Sequence, residues 1–173
     1  AAGYIREDLR LKTLPIGVKF MEKPGSFPEK TRRPSEVLKK RVTICQGVTM
    51  ARLYGWTVGL NRQDLICVPA MLAFGFTDAP DPDQTLGGLF CEVEFASKED
   101  NAKEEVRSMI RLENNPNRSI ILAPLMKNAF KPDTVAIYGN PAQIMRMVQA
   151  LVYETGKRVP GNFGGKVECT EYL

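Results

Sequence analysis

The segment SIILAPL at residues 119–125 has the strongest β-strand pattern in the chain. It is a short run of β-branched and large aliphatic residues, which predicts a buried strand. A second strand is predicted over residues 134–138. Asn140 then supplies an N-cap, Pro141 a first helical turn, and Gly156 a stop after an apolar stripe, so we predict a helix between these signals.

The rest of the chain predicts further strands and helices without a fixed repeat. The additional strands are predicted over residues 14–20, 56–60, 89–95 and 166–172, and the additional helices over residues 1–11, 45–54 and 98–113. The apolar run at residues 65–76 predicts a short buried helix, with Pro69 near its start and Gly75 near its end. Long loops are predicted over residues 22–35 and 77–88. We therefore expect an α/β or α+β fold, in which residues 1–173 form a single domain with a mixed β-sheet and flanking helices.

The composition is typical of a soluble globular protein, with 43% hydrophobic and 25% charged residues. There is no run of about 18 apolar residues that would span a membrane, and no secretory leader opens the chain. We therefore expect a cytoplasmic protein without a membrane partner. Histidine is absent, which excludes Ser-His-Asp triads, Cys-His dyads and histidine-ligated metal sites.

The positive charge is concentrated in the first quarter of the chain. The formal net charge is +4, residues 1–45 carry +6, and the remaining residues carry −2. The basic residues are densest between Lys30 and Arg41, a stretch that contains no aromatic residue on which bases could stack. This pattern favours an ordinary surface or the attraction of a small anionic ligand, and we expect no nucleic-acid partner.

The four cysteines offer the chain's strongest soft ligands and its only thiols. None of them forms a Cys-x-x-Cys pair. Cys45 and Cys67 each stand where an apolar, strand-like run meets a predicted helix start, whose unpaired N–H groups stabilise a thiolate. With Cys169, which follows a glycine pair, they would suit an iron–sulfur cluster or another soft metal centre. Burial as small hydrophobic residues is the alternative, and we favour it for Cys91.

Two further functions remain open beside metal ligation. Cys45 could act as the nucleophile of a thiol-dependent enzyme, with Arg52 or Lys19 as the activating cation. Lys19, Gln46 and Arg52 are also candidate ligand-binding residues, although Lys19 fits the outward position of a half-buried strand and Arg52 an ordinary surface charge. The third function is a non-catalytic binding module for a small anionic metabolite, recognised by the basic first quarter.

Several segments together resemble one protein family. They are LPIGVKF at 14–20, RVTICQ at 41–46, Ala51-Arg52, Gly55, CVPA at 67–70, Leu72, Gly75, Gly164-Gly165 and Cys169. This pattern resembles the DUF169 family of archaeal and bacterial proteins, for which no activity is agreed. Members of that family extend further at the C-terminus, and this chain begins with Ala1 and ends within a predicted strand. We therefore expect residues 1–173 to be a C-terminally truncated domain.

Among these functions, we expect first a cysteine-ligated iron–sulfur or soft-metal protein for redox chemistry, electron transfer or ligand sensing. The ligands would be Cys45, Cys67 and Cys169. The partner would be a small molecule or a redox partner protein, and homo-oligomerisation is left open. The thiol-dependent enzyme and the anion-binding module are the alternatives to this expectation.

Overall fold

A computed structural model describes residues 2–22, 27–77, 81–164 and 171–173 of the chain. The described α-helices are α1 (Ala2–Asp8), α2 (Pro34–Val37), α3 (Ile44–Tyr54), α4 (Val68–Ala73), α5 (Pro82–Glu92), α6 (Glu99–Ser108) and α7 (Pro141–Thr155). The described strands are β1 (Ile16–Met21), β2 (Val58–Leu60), β3 (Ser119–Pro124) and β4 (Thr134–Ala136). The fold is α+β. No helix in the described ranges combines the length and the apolar character that a membrane crossing requires.

The four strands form one sheet in the order β2-β3-β1-β4, and every ladder between them is antiparallel. All six residues of β3 are buried, which confirms the strand predicted from SIILAPL. Beyond the named strands, a parallel bridge joins Arg32 to Val58 at the β2 edge. The chain before α2 therefore lies along the side of the sheet.

Helix α3 covers one face of this sheet. Val18, Val58 and Leu122 pair across β1, β2 and β3 and belong, with Val48 of α3, to one buried apolar group that we call the sheet cluster. Successive side chains of a strand point to opposite faces, so Lys19 points away from α3. The two faces of the sheet consequently have different surroundings.

A second buried cluster lies between α5 and α6, and it corrects one prediction. Residues 89–95 alternate apolar and polar side chains, and the prediction of a strand there was wrong, as was the loop predicted before it. Leu86 and Phe90, four residues apart on α5, pack with Ala102 and Val106, four residues apart on α6. Burying these two helical faces against each other outweighs the local alternation, which leaves Leu89, Val93 and Phe95 exposed.

The predicted C-terminal helix is confirmed as α7. Asn140 and Gln143 form a reciprocal capping box, and Gly156 ends the helix in the left-handed conformation with φ of 64°. The side-chain amide of Gln143 donates to the carbonyl oxygens of Leu9 and Arg10 at 2.8 and 3.1 Å, which ties α7 to the end of the first helical segment. None of the residues of α7 is buried.

Two other predictions have partial outcomes. The loop predicted over residues 22–35 ends in the single turn of α2, because Pro34 begins a helix readily. The strand predicted over residues 166–172 lies outside the described residues, except for Glu171 and Tyr172, which form a turn.

Candidate functional site

An isolated parallel bridge between Val42 and Leu65 brings together two parts of the chain that are distant in sequence. The Val42 N–H donates to the carbonyl of Asp64 at 2.8 Å, and the Ile66 N–H donates to the carbonyl of Val42 at 3.0 Å. One paired segment leads into α3 and the other into α4. The bridge therefore holds the two helix starts side by side.

Cys45 is the second residue of α3 and is exposed. Thr43 is the N-cap: its hydroxyl accepts from the Gln46 N–H at 3.2 Å, and the Gln46 side-chain carbonyl accepts from the Thr43 N–H at 2.9 Å. This capping box fixes the first turn around Cys45. The side chain of Gln46 is thus engaged in forming the helix start, and its role in ligand binding stays a prediction.

Cys67 is the N-cap of α4 and is half-buried against the sheet cluster. Two residues before it, the carbonyl of Leu65 accepts a hydrogen bond from the guanidinium of Arg41. The positive charge of Arg41 is therefore held at the segment that runs from the bridge to Cys67. Because Cys45 follows Val42 by three residues and Cys67 follows Leu65 by two, the bridge brings both cysteines to the same region of the protein.

Arg52 lies on the same side of α3 as Cys45, seven residues further along. Its guanidinium carbon is 4.1 Å from the centre of the Tyr138 ring, which is a cation–π contact. Its buried Nε has no hydrogen-bond partner among the residues described. The hydroxyls of Tyr138 and Tyr172 are hydrogen-bonded at 2.6 Å. The sequence pointed to Arg52 but not to the two tyrosines, which are remote from it in the chain.

Lys19 is not brought to the cysteines. It points to the face of the sheet opposite α3 and forms an ion pair with Asp133 at 2.6 Å. The other carboxylate oxygen of Asp133 accepts the Phe20 N–H at 2.9 Å. Burial would raise the pKa of Asp133, but the bonds from Lys19 and Phe20 outweigh it and hold that pKa below its ordinary value of 3.8. The alternative of an outward-facing lysine fits this position.

Cys169 lies outside the described residues. Tyr172, three residues further along, is 5% exposed and belongs to the sheet cluster together with Val42 and Leu65. Across the portions of the chain that are described, no three Cys, Asp or Glu side chains form a group that could hold a metal ion. The described site therefore offers two thiols, Cys45 and Cys67, each within three residues of the Val42–Leu65 bridge.

Cys91 is separated from these two thiols by its packing. It lies on α5, half-buried, against the cluster of Leu86, Phe90 and Val106 that joins α5 to α6. It is an unbridged thiol. Its inward, apolar environment agrees with the structural role that the sequence favoured, although the element that carries it is a helix rather than a strand.

Comparison with known proteins gives a family and one distant relative. The model of the DUF169 family, described as uncharacterised ArCR, matches residues 4–173. An uncharacterized protein of Methanocaldococcus jannaschii is 28% identical over 151 residues, which cover 87% of this chain and 62% of that protein. The matched region thus spans less than two thirds of the length of this curated relative. No solved structure matches the chain.

Proposed function

This chain belongs to the DUF169 family, and from that premise we propose that it binds an iron–sulfur cluster or a related soft metal ion through cysteine thiolates. The ligands are Cys45, Cys67 and Cys169, and the bound centre serves redox chemistry, electron transfer or ligand sensing. The Val42–Leu65 bridge is the observation that carries the proposal, because it brings the turns of Cys45 and Cys67 together.

The local chemistry favours thiolates at these turns. Cys45 lies in the first turn of an 11-residue helix, where backbone N–H groups have no partner within the helix. Those groups and the positive end of the helix dipole stabilise a thiolate. The sulfides of a cluster also accept N–H hydrogen bonds. Arg41, bonded to the carbonyl of Leu65, adds a positive charge to the segment that leads to Cys67.

The third ligand is proposed from the position of its neighbour. Tyr172 packs in the sheet cluster that also contains Val42 and Leu65. Cys169 precedes Tyr172 by three residues, a length of chain that spans at most about 10 Å. A chain with no histidine has cysteine as its principal soft ligand, so a third thiolate from this region completes the set.

The exposure of the site supports the proposed role. Three thiolates leave one iron of a four-iron cluster open to an external ligand, which suits ligand sensing, whereas a fourth protein ligand suits electron transfer. Cys45 is exposed, so a small molecule or a redox partner protein could approach the centre. We also propose a cytoplasmic location, in which an unbridged thiol such as that of Cys91 stays reduced.

Anaerobic reconstitution of the whole chain with iron and sulfide tests the proposal. We expect stoichiometric iron and sulfide, together with the visible charge-transfer absorption of thiolate-ligated iron. The variants Cys45→Ala and Cys67→Ala should lose the bound iron and sulfide and the absorption. Cys91→Ala is the matched control, because it removes a thiol that packs in the apolar group between α5 and α6. A chain that takes up no iron, zinc or other soft metal would contradict the proposal.

The exposure of Cys45 also favours a second function, that of a thiol-dependent enzyme with Cys45 as the nucleophile. Arg52, on the same side of α3, is the cation that could assist it. Lys19 is on the opposite face of the sheet and is paired with Asp133. Selective modification of Cys45 at neutral pH in metal-free protein, with loss of an activity, would support this second function.

A further inference from the structure

A cavity of about 690 Å³ opens beside the sheet, away from the cysteines. Three segments line it: residues 27–36, the turn at residues 61–63 and residues 116–119. Ser119 precedes Ile120 on β3, and Ile120 belongs to the sheet cluster under α3. Because the side chains of a strand alternate, Ser119 points to the other face. The volume lies within the range of roughly 300–1,000 Å³ that is typical of sites for small molecules.

Gly59 allows the first segment to lie directly on the sheet. A Cβ atom at this position would be 2.8 Å from the ring of Phe27 and 2.8 Å from the side chain of Thr31. Any larger residue at position 59 would therefore displace the segment at residues 27–36. Phe27 and Pro28, packed close to the strand in this way, form an apolar wall of the cavity.

Two arginines of the cavity wall are already fully engaged. Arg33 donates to the buried carboxylate of Asp64 at 3.2 and 2.9 Å and to Glu36 at 2.7 Å. Arg118, which is 4% exposed, donates to Glu22 at 2.7 Å and to two backbone carbonyls. Two arginines are thus paired with three carboxylates, so this group supplies no positive charge to a ligand and serves to shape the cavity.

Three other polar groups of the wall are available. Lys30 and Arg62 are exposed and form no ion pair with any residue in the described ranges. Ser119 is 5% exposed and contributes its side chain to the cavity lining. Lys30 also adopts the left-handed conformation with φ of 66°, a strain that is common at ligand sites.

We propose that this cavity binds a small phosphate-bearing metabolite. Arg62 offers a planar fork that matches phosphate oxygens, Lys30 offers a point charge, and Ser119 offers a hydroxyl donor. The volume exceeds what a phosphate group alone would fill, and the apolar wall of Phe27 and Pro28 receives the organic part. The cavity is on the face of the sheet opposite α3, so this ligand site is distinct from the cysteine site.

Calorimetric titration of the whole chain at low ionic strength tests the proposal, with phenyl phosphate, inorganic phosphate and phenol as probes. Phenyl phosphate should bind more tightly than inorganic phosphate, because its ring adds contact with Phe27 and Pro28. Phenol should not bind. The variant Arg62→Ala should weaken phenyl phosphate binding at least tenfold, as expected for a lost hydrogen bond between charged groups. Ser119→Ala should weaken it about threefold or more.

Arg146→Ala is the matched control, because Arg146 is an exposed arginine on α7, outside the cavity lining. It should leave the affinity within about twofold of the parent chain, since distant exposed charges are screened. Equal weakening by Arg62→Ala and Arg146→Ala would show that only overall charge matters and would overturn the proposal. Phenyl phosphate that fails to bind, or binds no more tightly than inorganic phosphate, would overturn it as well.

Discussion

Asp64 is fully buried, and Arg33 donates two hydrogen bonds to one of its carboxylate oxygens. The backbone carbonyl of the same Asp64 accepts the Val42 N–H of the bridge that brings the cysteine turns together. Ser35 adds a hydroxyl to the carboxylate. Asp64 therefore connects two parts of the protein. Its carboxylate holds Arg33 of the cavity wall, and its backbone carbonyl holds the segment that leads to Cys45.

Replacing Asp64 by alanine should be among the most damaging substitutions in the protein. It would leave the partly buried guanidinium of Arg33 without its main partner, and we expect a loss of about 3–5 kcal/mol in the free energy of unfolding. Urea denaturation measures this loss. Glu36→Ala is the control, because its exposed ion pair with the same arginine should cost about 1 kcal/mol or less. Equal losses in the two variants would contradict the role assigned to Asp64.

Two glycines should respond in opposite directions to alanine. Gly75 has φ of +66°, and a Cβ there would collide with the Glu113 carbonyl and the Arg118 guanidinium. We expect Gly75→Ala to cost about 3 kcal/mol or more, from strain together with displacement of Arg118. Gly88 lies in α5 with no atom within 4 Å of its added Cβ, so Gly88→Ala should stabilise by about 0.5–1 kcal/mol. Thermal unfolding of Gly75→Ala and Gly88→Ala measures these effects. Stabilisation by Gly75→Ala would contradict the requirement for glycine at position 75.

The Glu22–Arg118 pair predicts a stability that depends on pH. The hydrogen bond from Arg118 holds the pKa of Glu22 below its ordinary value of 4.5. A folded-state pKa that is lower than the unfolded one adds stability above the unfolded pKa, and this contribution is lost as the pH falls through the folded value. Glu22→Gln should therefore destabilise the protein at neutral pH by about 1 kcal/mol, since the carboxylate is largely exposed.

The difference between the parent chain and Glu22→Gln should disappear well below pH 4.5. Urea titrations at several pH values measure it, with Glu154→Gln on α7 as the control. A Glu22→Gln penalty that persists unchanged in acid would mean that the charge of Glu22 does not contribute to stability.

Local sequence signals were sufficient to predict the helices whose ends are marked by capping residues. Asn140 and Gly156 lie at the two ends of α7, and these local signals were enough to predict the helix from the sequence. The error over residues 89–95 has the opposite cause. The helical form of this segment depends on Ala102 and Val106 of α6, and the alternation within the segment contains no information about that partner.

The candidate site was predictable in part for the same reason. The positions of Cys45 and Cys67 at helix starts follow from nearby residues, such as the cap at Thr43, and both were predicted. The Val42–Leu65 bridge that joins the two starts is a long-range pairing, which no spacing in the sequence specifies. The sequence analysis left an anionic ligand open, but it did not locate the cavity, because the three segments that line it are far apart in the chain. Only the density of basic residues near Lys30 indicated it.

The exposure of the thiols predicts an order of chemical modification. In reduced, metal-free protein, iodoacetamide should modify Cys45 before Cys67 and Cys91, with a rate advantage of roughly tenfold, because Cys45 is exposed and the other two are half-buried. Peptide mapping by mass spectrometry measures the order. In denaturant, the three rates should converge. Modification of Cys91 ahead of Cys45 in the native protein would contradict the burial of Cys91 against α6.

The iron content of anaerobically reconstituted protein tests the central proposal most directly. We predict that the parent chain and Cys91→Ala bind iron and sulfide to the same extent, and that Cys45→Ala, Cys67→Ala and Cys169→Ala each lose most of both. Circular dichroism of each variant confirms that the fold is retained. Iron and sulfide at background level in the folded parent chain, or unchanged in Cys45→Ala and Cys67→Ala, would contradict a cluster held at the Val42–Leu65 bridge.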